Sequence, residues 1–270
     1  GTPPGRMKQK DRCLPLEVVN GLGWKYPGCW DKIESLRRDN GSILPEWPQS
    51  VYIPISGTIA VVTNGAPKVG MLPMEILNDA CAMAACAPWR KSKTIYRFDP
   101  DLAAELMENA EDIVVPTDIL DRMPYQCIYI DVKCDDISGF FVHKDFDFRK
   151  NVEELRFVLV SEDGTCSTLR MEICQGKTFF DSLNETYRQD KKGIGYMDAI
   201  ALEAGAIMRY SQLVLYLCAE NREVSENPTQ AKIYKKRSSV HDVIAEVRKW
   251  DVGVWIGSAI RRVKLERKTK

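Results

Sequence analysis

An α+β fold is what this sequence predicts: an antiparallel meander sheet packed on one long buried helix, preceded by an N-terminal helix/hairpin unit. Two observations carry that expectation. Four β-rich runs, residues 126–133, 139–146, 154–161 and 166–173, follow one another with turn-forming links at Asp135-Asp136, around residues 149–151, and at Asp163-Gly164. Short connections between successive strands make antiparallel neighbours. Residues 197–218 then form a long, largely apolar helical stretch, about 33 Å at 1.5 Å per residue, enough to cover several strands.

The other elements follow in chain order. Trp30, Ile33 and Leu36 recur at three-residue spacing between charges, which predicts an amphipathic helix within residues 26–40, closed by Asn40-Gly41. Residues 50–55 (SVYIPI) and 58–63 (TIAVVT) read as two short strands of a hairpin around Ser56-Gly57, with Pro54 placing the first at an edge. Residues 73–87 read as an alanine-rich helix opened by Pro73 and stopped by Pro88. An extended run at 94–98 leads into Asp99-Pro100, an N-cap with proline at N1. A second capped start stands at Pro116-Thr117-Asp118, and residues 179–189 form a further helix. LPEWPQSVYIPI and MPYQCIYIDV echo one another, as a duplicated helix/hairpin unit would.

The domain reading is residues 1–6 as a cloning scar before Met7, 7–92 as the N-terminal helix/hairpin/helix unit, 93–230 as the α+β core and 231–270 as a basic C-terminal segment. With 38 Lys+Arg against 38 Asp+Glu, whole-molecule attraction to nucleic acid or anionic lipid is excluded. The charge is nevertheless uneven along the chain. Acids outnumber bases by about three to one between Asp99 and Asp163, and the ratio reverses from Lys232 onward. Nine scattered cysteines without a C-x-x-C pair read as reduced thiols, and the expected location is cytoplasmic. The apolar stretch 206–219 is interrupted by Arg209 and too short for a bilayer, so no membrane partner is expected.

No catalytic constellation stands out. His143 and His241 are the only histidines. His143 shares a strand face with Phe141 and Asp145, an arrangement in which an Asp-oriented base is conceivable but a structural role is commoner. Hydrolase, nucleotide-binding and zinc signatures are missing, so neither cofactor nor metal is expected. Asp131, Asp135 and Asp136 could hold magnesium as in a nuclease, although turn carboxylates explain them more simply. The acidic region also holds aromatic residues, and a groove with aromatic walls and a carboxylate rim suits a peptide with apolar anchors and basic flanks. Tyr96, Asp99, Tyr129, Asp131 and Phe141 are the candidate contacts, with Asp99 better suited to capping its helix. In the basic segment Lys235, Lys236, Arg237, Arg261 and Arg262 are the candidates for RNA phosphate.

Several phrases taken in order resemble the second type V-A anti-CRISPR family: TIYRFDPDLAAEL from Thr94, PTDILDRMPYQCIYIDV from Pro116, GFFVHKDFD from Gly139, ELRFVLVSEDG from Glu154, LYLCAEN from Leu215 and WDVGVWIGSAIRR from Trp250. YPGCWDKIESLRRDNG and LPEWPQSVYIP extend the resemblance upstream. It implies a non-enzymatic recogniser of the type V-A CRISPR effector nuclease, engaging the effector's nascent N-terminal polypeptide and causing loss of its mRNA, with the message or ribosome as further partners. It also implies an Arg/His/Trp-rich closing segment, which this sequence, ending at Lys270, does not contain. The competing reading from the residues is a metal- or His-dependent ribonuclease.

Overall fold

The computed structural model describes residues 12–65, 72–188, 196–226 and 247–269, and side chains within 196–200 are left aside. A seven-stranded mixed sheet stands between two helical layers. Its strands are β1 (Thr94–Phe98), β2 (Cys127–Cys134), β3 (Ile137–Asp147), β4 (Val152–Val160), β5 (Cys166–Glu172), β6 (Val224–Glu226) and β7 (Arg248–Val252), in the spatial order β5-β4-β3-β2-β1-β7-β6. Strands β2 to β5 form the antiparallel meander expected from their alternation and turns. The link between β2 and β3 uses Asp135 and Asp136 at φ 48° and 65°, left-handed conformations that aspartate tolerates and a tight hairpin needs.

The additional finding is on the other side of β2. β1 pairs in parallel with both β2 and β7, and β6 closes that edge antiparallel to β7. The basic segment after residue 231 thus contributes a strand to the sheet, although it lies about 150 residues from β1 in sequence.

One face of the sheet is covered by α1 (Leu14–Lys25), α2 (Cys29–Arg38), α3 (Ile55–Val62) and α4 (Met74–Ser92), whose apolar side chains meet Ile95, Cys127, Tyr129, Phe141, Val158 and Val160. The opposite face is covered by α5 (Pro100–Glu108), α6 (Thr117–Leu120), α7 (Phe179–Thr186) and α8 (Tyr196–Cys218) over Tyr96, Ile130, Phe140, Val142, Leu155 and Phe157. Helix α8 is the long helix the sequence foretold: Ile207, Tyr210, Leu213, Val214 and Leu217 are buried, while Leu202 faces solvent, so its burial is one-sided. A ninth helix, α9 (Val254–Lys268), lies against α5.

Three expectations are corrected. The hairpin at residues 50–63 is absent, because Ile55 to Val62 is helix α3. Its β-branched residues suit a strand locally, but Asp145 Oδ1 accepts a hydrogen bond from Ile55 N at 3.0 Å, and Thr58 Oγ1 donates to Ile55 O and Ala80 O at 3.1 and 2.8 Å. Tertiary partners override a propensity worth about 1 kcal/mol. The duplication fails with the hairpin, since one echo leads to a helix and the other to β2. Pro88 lies inside α4 and does not stop it: the helix runs to Ser92, with Pro88 buried and Trp89 Nε1 donating to Thr94 O at 2.9 Å. Burial from Ala80 to Trp89 outweighs the single hydrogen bond that proline removes.

Register is held by charge as well as by apolar contact. On one face of the sheet the buried carboxylates Asp145, Glu154 and Glu172 align across β3, β4 and β5, and His143, Arg156 and Arg170 align in the next row. Arg156 bridges the rows, with Nη2 at 2.7 Å from Glu154 and Nε at 3.4 Å from Asp145, while Arg170 reaches Glu154 at 3.2 Å. A slip of one residue would strand these charges in the core, where an unpaired charge costs several kcal/mol.

Candidate functional site

At the carboxyl ends of the parallel strands β1 and β7, helices α5 and α9 begin side by side. Helix N-termini of this kind attract anions, and here the chain supplies its own. Asp99 Oδ1 accepts from Asp101 N and Leu102 N at 3.0 and 3.3 Å, so Asp99 is the N-cap that its sequence position indicated. Glu223 closes α9, its two carboxylate oxygens accepting from Trp255 N and Ile256 N at 2.8 and 3.1 Å. Arg261 Nη1 reaches across from α9 to donate to Asp99 Oδ2 and Asp101 Oδ2 at 3.0 and 2.7 Å. Gly253 and Gly257 permit this approach, because a Cβ at 253 would strike Leu102 and one at 257 would strike Asp99.

The candidate peptide contacts divide between the two faces of the sheet. Tyr129 and Phe141 pack edge to face, their centroids 4.9 Å apart, in the core beneath α4. Tyr96 is buried on the opposite face. These three rings are core residues without access to a bound peptide, a correction with a simple cause: strand alternation separates the faces, and here helices cover both. Asp131 remains accessible and meets Arg97 at 3.2 Å. Asp99 is engaged as described. Among the candidates for RNA contact, Arg261 is held by two carboxylates, Arg262 is exposed, and Lys235, Lys236 and Arg237 lie outside the described residues, as does His241.

His143 is buried with Nδ1 at 3.1 Å from Lys144 O, and burial pushes its pKa down to about 4. Asp145 does not orient it, because that carboxylate is turned to Ile55 and Arg156. Asp131, Asp135 and Asp136 do not converge on a metal. Asp135 instead receives Arg209 Nη2 at 2.6 Å and the Tyr210 hydroxyl at 3.1 Å, and no group of three metal-ligating side chains occurs among the described residues.

The most distinctive surface is one that alternation could not single out. Between Arg97 and Arg122 the chain carries eight carboxylates and no base. Asp99 and Asp101 are paired with Arg261, Asp112 accepts from Phe180 N at 2.9 Å, and Asp121 binds Lys144. Glu105 and Glu108 lie on the outer side of α5, Glu111 and Asp118 follow, and all four are exposed. The apolar side chains of Ile113, Val114 and Ile119 are exposed in the same segment, which is anchored to the start of α7 by Phe179 N donating to Ile113 O and by Val115 N donating to Lys177 O. Carboxylates interleaved with exposed apolar side chains on an anchored segment fit a cationic, partly apolar polypeptide.

Residues 96–270 match the sequence profile of the AcrVA2-like family, the anti-CRISPR type V subtype A2 family. The chain belongs to that family. The AcrVA2-like match begins within β1 and therefore takes in the sheet, the carboxylate run and α9. Protein FinQ of Escherichia coli is 22% identical over 214 residues, covering 65% of this chain and 59% of FinQ. The crystal structure of AcrVA2 has the same fold, with a TM-score of 0.63 over 96% of this chain and 89% of that one at 16% identity. AcrVA2-like membership supports an anti-CRISPR role. Among the described residues, no helix is long and apolar enough to cross a membrane.

Proposed function

We propose that this AcrVA2-like protein is an interaction protein that binds the N-terminal, nascent segment of the type V-A effector nuclease and thereby brings about loss of the effector's mRNA. The observation that carries the reading is the carboxylate run from Asp99 to Asp121, where exposed Glu105, Glu108, Glu111 and Asp118 accompany exposed Ile113, Val114 and Ile119. Basic side chains of the incoming peptide meet the carboxylates, which speeds encounter and sets register, and apolar anchors cover the three aliphatic residues. Asp131, at the edge of the same half of the chain, is an additional acidic contact. The message-directed step draws on the basic segment, with Arg262 and Lys235, Lys236 and Arg237 as phosphate contacts.

The test is calorimetry with a synthetic peptide of the effector's N-terminal residues, paired with effector mRNA levels in cells carrying the protein. The combined variant Glu105→Lys, Glu108→Lys, Glu111→Lys should bind at least about tenfold more weakly and spare the message. Absence of binding by the unmodified protein, or undiminished binding by the variant, refutes the reading.

A further inference from the structure

Among the described residues, helix α9 is fastened on one side and uncovered on the other. Its fastened side carries Gly257, the one buried residue of the helix, with Arg261 and Lys264 directed at Asp99 and Asp101. Its first turn is closed by Glu223. At 100° per residue, Trp255, Ala259 and Val263 form a row on the side away from Gly257, with Ile256 at its margin and Arg262 and Glu266 beside it. Trp255 is 79% exposed, and Ile256, Ala259 and Val263 also face solvent. Isolated exposed apolar residues need no explanation, but an apolar stripe along a helix whose orientation is fixed by ion pairs, glycines and a cap marks an interaction surface.

We infer that this stripe pairs with the same stripe of a second copy of the chain, the two α9 helices running antiparallel about Ala259. Shape supports self-pairing. The stripe has its smallest side chain, Ala259, at the centre and large ones, Trp255 and Val263, one turn to either side, so two copies related by a two-fold axis interdigitate there, with Trp255 of each over Val263 of the other. Charge supports the direction. Arg261 and Lys264 are taken up by Asp99 and Asp101, but Arg262, Arg267 and Lys268 leave the second half of α9 basic beside its one acid, Glu266, whereas the first half has no base and begins on the Glu223 carboxylate. Antiparallel pairing sets each basic half against the acid-capped half of its partner and opposes the helix dipoles, while parallel pairing would oppose like charges. The resulting interface is isologous, the commonest form of self-association. It does not include the exposed Glu105, Glu108, Glu111 and Asp118 proposed to meet the effector, so self-pairing and peptide binding can be lost separately.

Light scattering coupled to gel filtration, applied to the full chain over a wide range of concentration, is expected to show a concentration-dependent dimer. Trp255→Glu and Val263→Glu, both at exposed positions, should each weaken it at least tenfold while leaving the circular dichroism spectrum unchanged. Ala259→Cys in the otherwise unaltered chain should form a disulfide-linked dimer on oxidation, and Ser42→Cys, an exposed position remote from α9 in sequence, should not. A monomer at every concentration overturns the inference, as does a dimer indifferent to both glutamate variants. Failure of Ala259→Cys to cross-link a protein that is otherwise dimeric overturns the antiparallel arrangement.

Discussion

The carboxylate of Asp99 occupies the space that a side chain at Gly257 would fill. Asp99 therefore serves two groups at once, the N-terminus of α5 and the guanidinium of Arg261, and it can lie this close to α9 only because residue 257 has no Cβ.

Replacing Gly257 with alanine is expected to destabilise the protein by about 1–3 kcal/mol, the usual cost of forcing a methyl group into a filled site. Arg261→Ala removes a half-exposed ion pair without disturbing the packing, and its effect should be clearly smaller. Thermal unfolding of the two variants side by side checks the order.

Asp145→Ala should be among the most damaging single substitutions. It removes the acceptor for Ile55 N at the start of α3 and leaves buried Arg156 with one carboxylate partner fewer. The expected loss is about 3–5 kcal/mol, readable by urea unfolding.

His143 and Asp145 give opposing contributions to acid stability. Burial lowers His143 to about 4, so the unfolded chain takes up a proton between about pH 6.5 and 4 that the folded chain refuses, and stability is lost as pH falls through that window. Burial, partly offset by Arg156, raises Asp145 to about 6. Its contribution is fully present below about pH 3.8 and is lost as pH rises towards 6. His143→Gln should therefore reduce the stability lost between pH 7 and pH 5 by about 2 kcal/mol. Denaturant titrations of both proteins at the two pH values decide it.

Asp131→Lys tests the edge of the acidic region. The substitution sets a lysine against Arg97 at a partly exposed position, so the melting temperature should change little, whereas affinity for the effector peptide should fall severalfold if this edge is part of the contact. Calorimetry matching the unsubstituted protein confines the contact to the run between Glu105 and Asp118.

The meander was legible because β2 to β5 pair with sequence neighbours through short turns, and their alternation and turn residues are local signals. The pairing of β1 with β7 was not, since its partners come together only after about 150 intervening residues are folded. Helix α3 was misread because its β-branched residues carry a strand signature, and its helix depends on Asp145, ninety residues away. The candidate site was misread for a related reason. Period-two alternation places Tyr129 and Asp131 on one face, but nothing local reveals that helices cover that face over Tyr129 and leave Asp131 at its margin. The capping role of Asp99 was readable, because Asp-Pro at a helix start is a local signal.

The two-sided cover of the sheet bears on how the chain can be shortened. The family match starts at Tyr96, yet a fragment starting there would lose every helix above Cys127, Tyr129, Phe141 and Val158 and would open the Asp145, Glu154 and Arg156 charges to water along with them. Helices α1 to α4 are thus a structural roof for the matched region, and a surface as apolar as the one they shelter, laid open across the middle strands, would drive such a fragment to aggregate.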